Sequence, residues 1–122
     1  RGLSSFRNFP QEYMEFFTLT KEYQDSIGNS KKVYKVNDVI KTFVKFDIFN
    51  LMSPVPPVRN CDLVLCRNVM IYFNQTDRAS IVQRMNRALV PGGLLFVGHS
   101  ESIRSYQAGF ISEEPAVYRK RD

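Results

Sequence analysis

The sequence contains no tryptophan, a single histidine and only two cysteines among its 122 residues. It has no apolar run near the ~18 residues that a membrane-spanning helix requires, which predicts that no segment crosses a membrane. Repeats and low-complexity tracts are also missing, which excludes a collagen-like or disordered chain. The remaining composition, with 43% hydrophobic and 24% charged residues, is typical of one small globular domain.

Two features of the sequence bear on where the protein resides. Arg1–Phe6 has neither an initiator methionine nor the apolar core of a signal peptide, and we expect the chain to be cut from a longer one. Cys61 and Cys66 lie an odd number of residues apart in one apolar run, which places them on opposite faces of a strand, where they cannot form a disulfide. Free thiols are typical of a reducing compartment, so we expect a cytoplasmic protein.

Positive charge is in excess, since 17 Lys and Arg residues face 12 Asp and Glu residues and give a net charge of +5. Five lysines cluster in a stretch with a single acid, and they are Lys31, Lys32, Lys35, Lys41 and Lys45. Such a basic face could attract nucleic acid, an anionic membrane or an acidic protein. Lysines on an edge strand also prevent pairing with other chains, so the cluster alone does not identify a partner.

The first segment, residues 1–43, is predicted to form an N-terminal helix and a small β-subdomain. Asn8 can cap a helix that has Pro10 close to its first position. After a turn-rich stretch, Val33–Val36 is typical of a short strand.

The second segment, residues 44–122, has the pattern of an α/β sheet. Its predicted strands are a half-buried strand with period two, two fully apolar strands covered on both faces, and a closing hairpin. In chain order these are Val44–Phe49, Leu63–Cys66, Leu94–Val97 and the pair within Phe110–Tyr118.

An amphipathic helix is predicted between the two apolar strands. Asn74 and Asp77 mark its start, and Pro91 with the two glycines after it marks its end. Arg84 is assigned to the polar face of the helix. The apolar face follows helical spacing and consists of Ile81, Val82, Met85, Ala88 and Leu89. Strand, helix and strand together predict a βαβ unit with parallel strands.

Polar residues follow two of the predicted strands, at the edge where open parallel sheets bind ligands. Asn50 follows Val44–Phe49, while Arg67 and Asn68 follow the next strand. If the two strands are parallel neighbours, these side chains meet. Asparagine can hydrogen-bond an adenine edge or a hydroxyl, and arginine can hold a carboxylate. The same residues could instead cap strand ends and hold loops.

The segment Asp62–Phe73, DLVLCRNVMIYF, resembles a motif of the chemotaxis receptor methyltransferases, which convert receptor glutamates to methyl esters with S-adenosylmethionine. The resemblance continues through Leu89–Glu101, LVPGGLLFVGHSE, and through the closing Val117–Lys120. It is good over residues 44–120 and loose before them. The turn LVPGG occurs in many Rossmann-like methyltransferases, whereas CRNVMIYF followed by GHSE at this distance is specific to the chemotaxis receptor methyltransferases.

The resemblance implies an α/β fold, namely part of a Rossmann-like S-adenosylmethionine-dependent methyltransferase sheet with a small antiparallel β-subdomain. Asn50 and Leu51 match family residues that contact the adenosine of the cofactor. Arg67 and Asn68 match residues that line the cofactor pocket. Tyr72 matches the tyrosine that faces the methyl group and the incoming carboxylate, and it is therefore the candidate catalytic residue.

The family's N-terminal helical domain, its Gly-rich cofactor loop and its ribose-binding acid have no match in these residues. The resemblance therefore implies the C-terminal part of a protein-glutamate O-methyltransferase, inactive alone. The chemistry requires no general base, because a glutamate with a pKa of about 4.3 is ionised at pH 7. No metal is expected, since His99 is the single histidine, and we assign it a structural role. Cys66 is expected to be a small buried hydrophobe.

The β-subdomain is the expected docking region. Thr20–Val36 occupies the place where some family members bind a receptor tail by adding a strand. Because the methylated receptor helices of this family are acidic, the lysines there favour a chemotaxis receptor as the partner. A non-catalytic docking module derived from the same fold is the alternative function. Nucleic acid is disfavoured, because the lysines lack the interleaved aromatic residues that stack on bases.

Overall fold

The computed structural model describes residues 8–103 and 109–122. The chain divides into two compact units, Arg1–Asp47 and Ile48–Asp122. Within the described residues, no helix combines the length and the apolar character needed to cross a membrane.

The first unit contains one antiparallel hairpin. A 3₁₀ helix, Gln11–Phe16, leads into β1 (Phe17–Gln24), which pairs with β2 (Ser30–Val36), and α1 (Asp38–Lys41) follows. The predicted short strand is confirmed as part of β2. The predicted N-terminal helix is a short 3₁₀ segment after Pro10, because the aromatic and β-branched residues that follow it favour a strand.

The predicted strand Val44–Phe49 is wrong. This stretch has no regular secondary structure, and Phe46 and Ile48 are almost completely exposed, at 92% and 106%. A strand requires a neighbour for its N–H and C=O groups, and none of the strands in the two described sheets pairs with this segment. Alternating apolar residues indicate a face suited to burial, but they do not supply the partner.

The second unit contains a four-stranded sheet with the order β3, β4, β6, β5. Strands β3 and β4 are parallel and are joined by α2, while β6 runs antiparallel to both β4 and β5. Their bounds are Cys61–Cys66 for β3, Gln75–Ala88 for α2, Leu89–Val97 for β4, Phe110–Glu114 for β5 and Val117–Lys120 for β6. The predicted βαβ unit and closing hairpin are confirmed, and the fold is α/β.

Helix α2 is closed by side chains at both ends. At its start the Asn74 side chain accepts a hydrogen bond from the Asp77 N–H at 2.9 Å, which is the predicted cap. At its end the Lys120 ammonium donates to the carbonyls of Asn86 and Leu89, each at 2.7 Å. These contacts satisfy terminal groups that have no partner within the helix and place a cation at its negative end.

The predicted end of the helix lies inside a strand. Strand β4 begins at Leu89 and includes Pro91 and Gly92, and its pairing with β3 shifts register at this point. Gly92 has a φ of +78°, a conformation that glycine adopts without steric cost. The turn signal in the sequence therefore marks an irregularity in the strand rather than a loop before it.

The core of the second unit lies between α2 and one face of the sheet. Its least exposed side chains are Ile81, Val82, Leu95, Val97, Ile103 and Phe110. Strand β3 differs from the prediction, because Leu63 is 48% and Leu65 is 65% exposed. In the described part of the chain only one face of this strand is covered, whereas parallel sheets are typically covered by helices on both.

Candidate functional site

The candidate site lies beyond the carboxyl ends of the parallel strands β3 and β4. The loop after β3 carries Arg67, Asn68 and Tyr72, and the turn after β4 is Gly98–Glu101. Because the two strands are neighbours in the sheet, the loop and the turn lie at one edge. This is the edge at which α/β sheets bind ligands.

The carboxylate of Glu101 joins the two strand ends. Its Oε2 accepts hydrogen bonds from the N–H groups of Gly98 at 2.7 Å and Asn68 at 3.0 Å, and its Oε1 accepts one from Met70 at 2.9 Å. The Glu101 side chain is buried, and a buried carboxylate requires such donors. Sequence reasoning quoted Glu101 only as a motif position and missed this role.

Asn68 and Gly98 fit closely against each other. Asn68 has a φ of +58°, a left-handed conformation that asparagine tolerates better than most residues. A Cβ placed on Gly98 would lie 2.2 Å from Asn68 Oδ1, far inside contact distance. The absence of a side chain at Gly98 therefore makes room for the Asn68 amide at the strand end.

Arg67 and Tyr72 are both exposed on this loop, and Tyr72 is 81% accessible. Tyr72 ends a short 3₁₀ turn that begins at Met70. Directly after it, the Arg78 side chain of α2 donates to the Phe73 carbonyl at 2.7 Å. The backbone of the loop is thus held at both ends, while two of its side chains are accessible to a ligand.

Asn50 and Leu51 lie in a turn of their own. The Asn50 side chain accepts a hydrogen bond from the Met52 N–H at 2.9 Å, and the Asn50 carbonyl accepts one from the Ser53 N–H at 2.9 Å. Leu51 is partly buried and packs against the core. The strand expected to bring Asn50 beside Arg67 does not form, so a pocket shared by both remains a prediction.

Arg84 anchors this turn to α2. Its Nη1 donates to the Leu51 carbonyl at 2.8 Å, and its Nε is buried with no hydrogen-bond partner in the described part of the chain. Arg84, assigned to the polar face of the helix, is partly buried, because its long side chain reaches back to the preceding loop. Sequence spacing gives the side of the helix but not the reach of an arginine.

Cys66 and His99 also lie near this edge. Burial, and then the charge of Glu101, raise the pKa of the Cys66 thiol, so it is protonated at neutral pH. Both cysteines are free, as expected. His99 is exposed. Across residues 8–103 and 109–122, no three His, Cys, Asp or Glu side chains are arranged to hold a metal ion.

The hairpin of β1 and β2 sorts the lysines onto two faces. Side chains alternate along β2, so Lys31 and Lys35 share one face and Lys32 lies on the other. The register pairs Lys21 with Val33, which adds Lys21 to the face of Lys31 and Lys35. The expected basic face is thus divided between the two sides of the hairpin. The side with more lysines carries Lys31, Lys35 and also Lys21, which lies outside the sequence cluster. We refer to these three residues as the Lys21 face.

Aspartates lie close to most of the clustered lysines. The ammonium groups of Lys31, Lys35, Lys41 and Lys45 are 3.9, 3.4, 3.7 and 3.3 Å from an aspartate oxygen. Exposed pairs of this kind contribute little to stability, typically about 0–1 kcal/mol. In such exposed pairs, a lysine can readily exchange its aspartate for an acidic group of a binding partner.

Comparison with known proteins gives consistent matches. The sequence-family model described as CheR methyltransferase, SAM binding domain, matches residues 8–118 of this chain. The chain is 34% identical over 101 residues to the chemotaxis protein methyltransferase of Escherichia coli K12. This alignment covers 82% of this chain and 35% of that protein. It is 37% identical over 101 residues to the Borreliella burgdorferi protein of the same name, and 39% identical over 102 residues to chemotaxis protein methyltransferase Cher2 of Pseudomonas putida. These alignments cover 81% and 84% of this chain but 34% of each relative, so the chain spans about a third of the length of the curated relatives it matches.

Proposed function

Because the chain belongs to the CheR methyltransferase family, we propose that it forms the C-terminal part of a Rossmann-like, cytoplasmic protein-glutamate O-methyltransferase that acts on chemotaxis receptors. The matched domain binds S-adenosylmethionine, which is the cofactor. One observation carries the proposal furthest. The loop after β3 exposes Arg67, Asn68 and Tyr72 at the ligand-binding edge of the sheet while Glu101 fixes its backbone.

The side chains near this edge suit the cofactor. Arg67 can hold a carboxylate through its planar guanidinium, the amides of Asn50 and Asn68 can bind hydroxyls or an adenine edge, and Leu51 offers apolar surface. We therefore assign Asn50 and Leu51 to the adenosine and Arg67 and Asn68 to the rest of the pocket. Since the chain spans about a third of its relatives, we propose that it is inactive alone.

The reaction requires alignment more than acid–base chemistry. S-adenosylmethionine supplies a methyl group that its sulfonium already activates, and a glutamate carboxylate is ionised at pH 7. The task of the protein is to align the two groups and exclude water. Tyr72 suits both purposes, because its accessible ring can shield the reacting atoms and its hydroxyl can hold the carboxylate.

The product itself tests this proposal. In the full-length protein with tritiated S-adenosylmethionine and a receptor cytoplasmic fragment, we expect label in the receptor that mild alkali releases as methanol, because glutamate methyl esters hydrolyse readily. Receptor glutamates replaced by glutamine supply the control, since an amide lacks the attacking carboxylate. Label that resists alkali would contradict an ester product. Receptor binding without any transfer would favour the docking module.

We further propose that the Lys21 face attracts the acidic receptor helices. Changing Lys21 and Lys35 to glutamate is expected to weaken receptor binding about tenfold or more at low salt, and to matter less at high salt because salt screens exposed charges. The matched control changes Lys32 and Lys45 to glutamate, which alters the net charge equally but leaves this face intact. Calorimetric titration checks the result, and equal losses for both pairs would contradict a specific face.

A further inference from the structure

The buried side chain of Glu101 accepts hydrogen bonds from backbone groups. None of the ion pairs found among the described residues includes this side chain. Instead, three N–H groups point at its two oxygens, and they come from both sides of the candidate site. In the part of the chain that the structure describes, the donors found at this carboxylate are backbone N–H groups, so the carboxylate and the loop hold each other in place.

The Glu101 carboxylate ties the start of the loop to the turn after β4, while farther along the loop is also held by the buried Met70 side chain and by the Arg78 contact with the Phe73 carbonyl. Asn68 is in a left-handed conformation outside any helix or strand, and its N–H and that of Met70 both donate to Glu101. Without the carboxylate, the Asn68 N–H loses an acceptor that lies 33 residues away in the sequence, and the Met70 N–H loses one that lies 31 residues away. Arg67 directly precedes this stretch and Tyr72 follows it, so a change in its backbone alters the direction of both side chains.

We propose that Glu101 is the positioning residue of the cofactor loop, residues 67–72. It acts through the backbone of Asn68 and Met70, which sets the orientation of Arg67 toward the cofactor and of Tyr72 toward the reacting carboxylate. The inference rests on the proposed function of this loop. It predicts that cofactor affinity and turnover both depend on the hydrogen bonds that the Glu101 carboxylate accepts from the backbone of this loop.

The two oxygens divide the three donors unequally, which makes glutamine a sharp probe. Oε2 accepts from Asn68 and Gly98, and Oε1 accepts from Met70. A glutamine keeps the shape but has one acceptor oxygen, so its NH₂ group must face at least one backbone N–H. Glu101→Gln therefore breaks the arrangement without leaving a cavity.

The matched control is a core variant that lowers stability without touching the loop. Phe110→Leu serves, because Phe110 is buried in β5, two strands away from β4, and pairs with Lys120 at the opposite end of the sheet. Both variants are made in the full-length protein and compared at a temperature at which both are folded. The measurements are the Kd for S-adenosylmethionine by calorimetry and kcat with the receptor fragment.

Glu101→Gln is expected to raise the Kd about tenfold or more and to lower kcat about tenfold or more. Phe110→Leu, at a similar loss of Tm, is expected to leave both within about twofold of the wild type. Equal Kd and kcat in the two variants would overturn the proposal and leave Glu101 a role in stability alone. If Glu101→Gln does not fold, Glu101→Asp is measured against the same control and judged by the same criterion.

Hydrogen exchange separates this proposal from the proposed function. The amides of Asn68 and Met70 are expected to exchange at least about tenfold faster in Glu101→Gln than in the wild type, and Phe110→Leu is expected to leave them unchanged. If the wild-type protein fails to bind S-adenosylmethionine, the proposed function is wrong, while these amides still decide whether Glu101 fixes the loop. Unchanged exchange in Glu101→Gln would overturn the positioning role.

Discussion

Gly98→Ala is expected to destabilise the second unit by about 1–3 kcal/mol, as overpacking of a well-packed site typically does. A Cβ at this position would lie 2.2 Å from Asn68 Oδ1 and 3.0 Å from Glu101 Oε2. Real side chains do not approach so closely, so the exposed Asn68 side chain must turn away, and the Glu101 carboxylate and the Asn68 N–H, 3.1 Å from the new Cβ, must shift by a few tenths of an ångström. Chemical denaturation measures the loss, and we expect cofactor affinity to fall about tenfold or more with it.

A second substitution tests the cause. Asn68→Gly removes the nearest clashing atom, and glycine readily adopts the left-handed φ of +58° found at Asn68. We expect the double variant Gly98→Ala, Asn68→Gly to be more stable than Gly98→Ala alone, while Asn68→Gly by itself changes stability little. A double variant as unstable as Gly98→Ala would show that the Asn68 side chain is not what the new methyl group meets.

Tyr72→Ala in the full-length protein is expected to lower kcat by about 10²-fold, the effect of losing alignment at a reacting centre. The Kd for S-adenosylmethionine should change little, because the ring is assigned to the acceptor side of the reaction. Stability should be unaffected, since the Tyr72 side chain is 81% exposed. Steady-state kinetics with the receptor fragment check this, and Tyr72→Phe, which keeps the ring, should show a much smaller loss.

Substitution of Arg67 serves as a control, because it is expected to affect cofactor binding more than turnover. Arg67→Ala removes an exposed side chain from the same loop, and we expect it to raise the Kd for S-adenosylmethionine with a smaller effect on kcat at saturating cofactor. The two substitutions therefore separate cofactor binding from turnover. Normal turnover in Tyr72→Ala, or normal cofactor binding in Arg67→Ala, would contradict the role assigned to that residue.

Elements with local signals could be predicted from the sequence. The start of α2 depends on Asn74 and Asp77, three residues apart, and its apolar face follows from spacing within fourteen residues. The βαβ unit then follows from chain order, because two apolar strands around one helix favour parallel pairing. The resemblance to the methyltransferases rests on the same region, so the family could be identified from it.

The wrong strand and the contacts that the sequence did not reveal have one physical source, which is dependence on distant partners. Alternation over Val44–Phe49 could not reveal that no described strand pairs with it. Glu101 escaped notice because its donors are backbone N–H groups, which leave no trace in residue type. Lys21 joins Lys31 and Lys35 only through the strand register, and Arg84 reaches a carbonyl 33 residues away. Such contacts become visible only when the fold is known.

Strand β3 ends the described sheet on one side, and its outer edge pairs with no other described strand. Next to that edge lie Leu63 and Leu65, both substantially exposed, with Asp62 as the single charge. An unpaired strand edge beside exposed apolar side chains is a template for strand addition between molecules, which natural sheets normally suppress with charge, proline or a covering element. We therefore expect the isolated polypeptide to associate through this edge increasingly as its concentration rises, even though the second unit itself carries more basic than acidic residues.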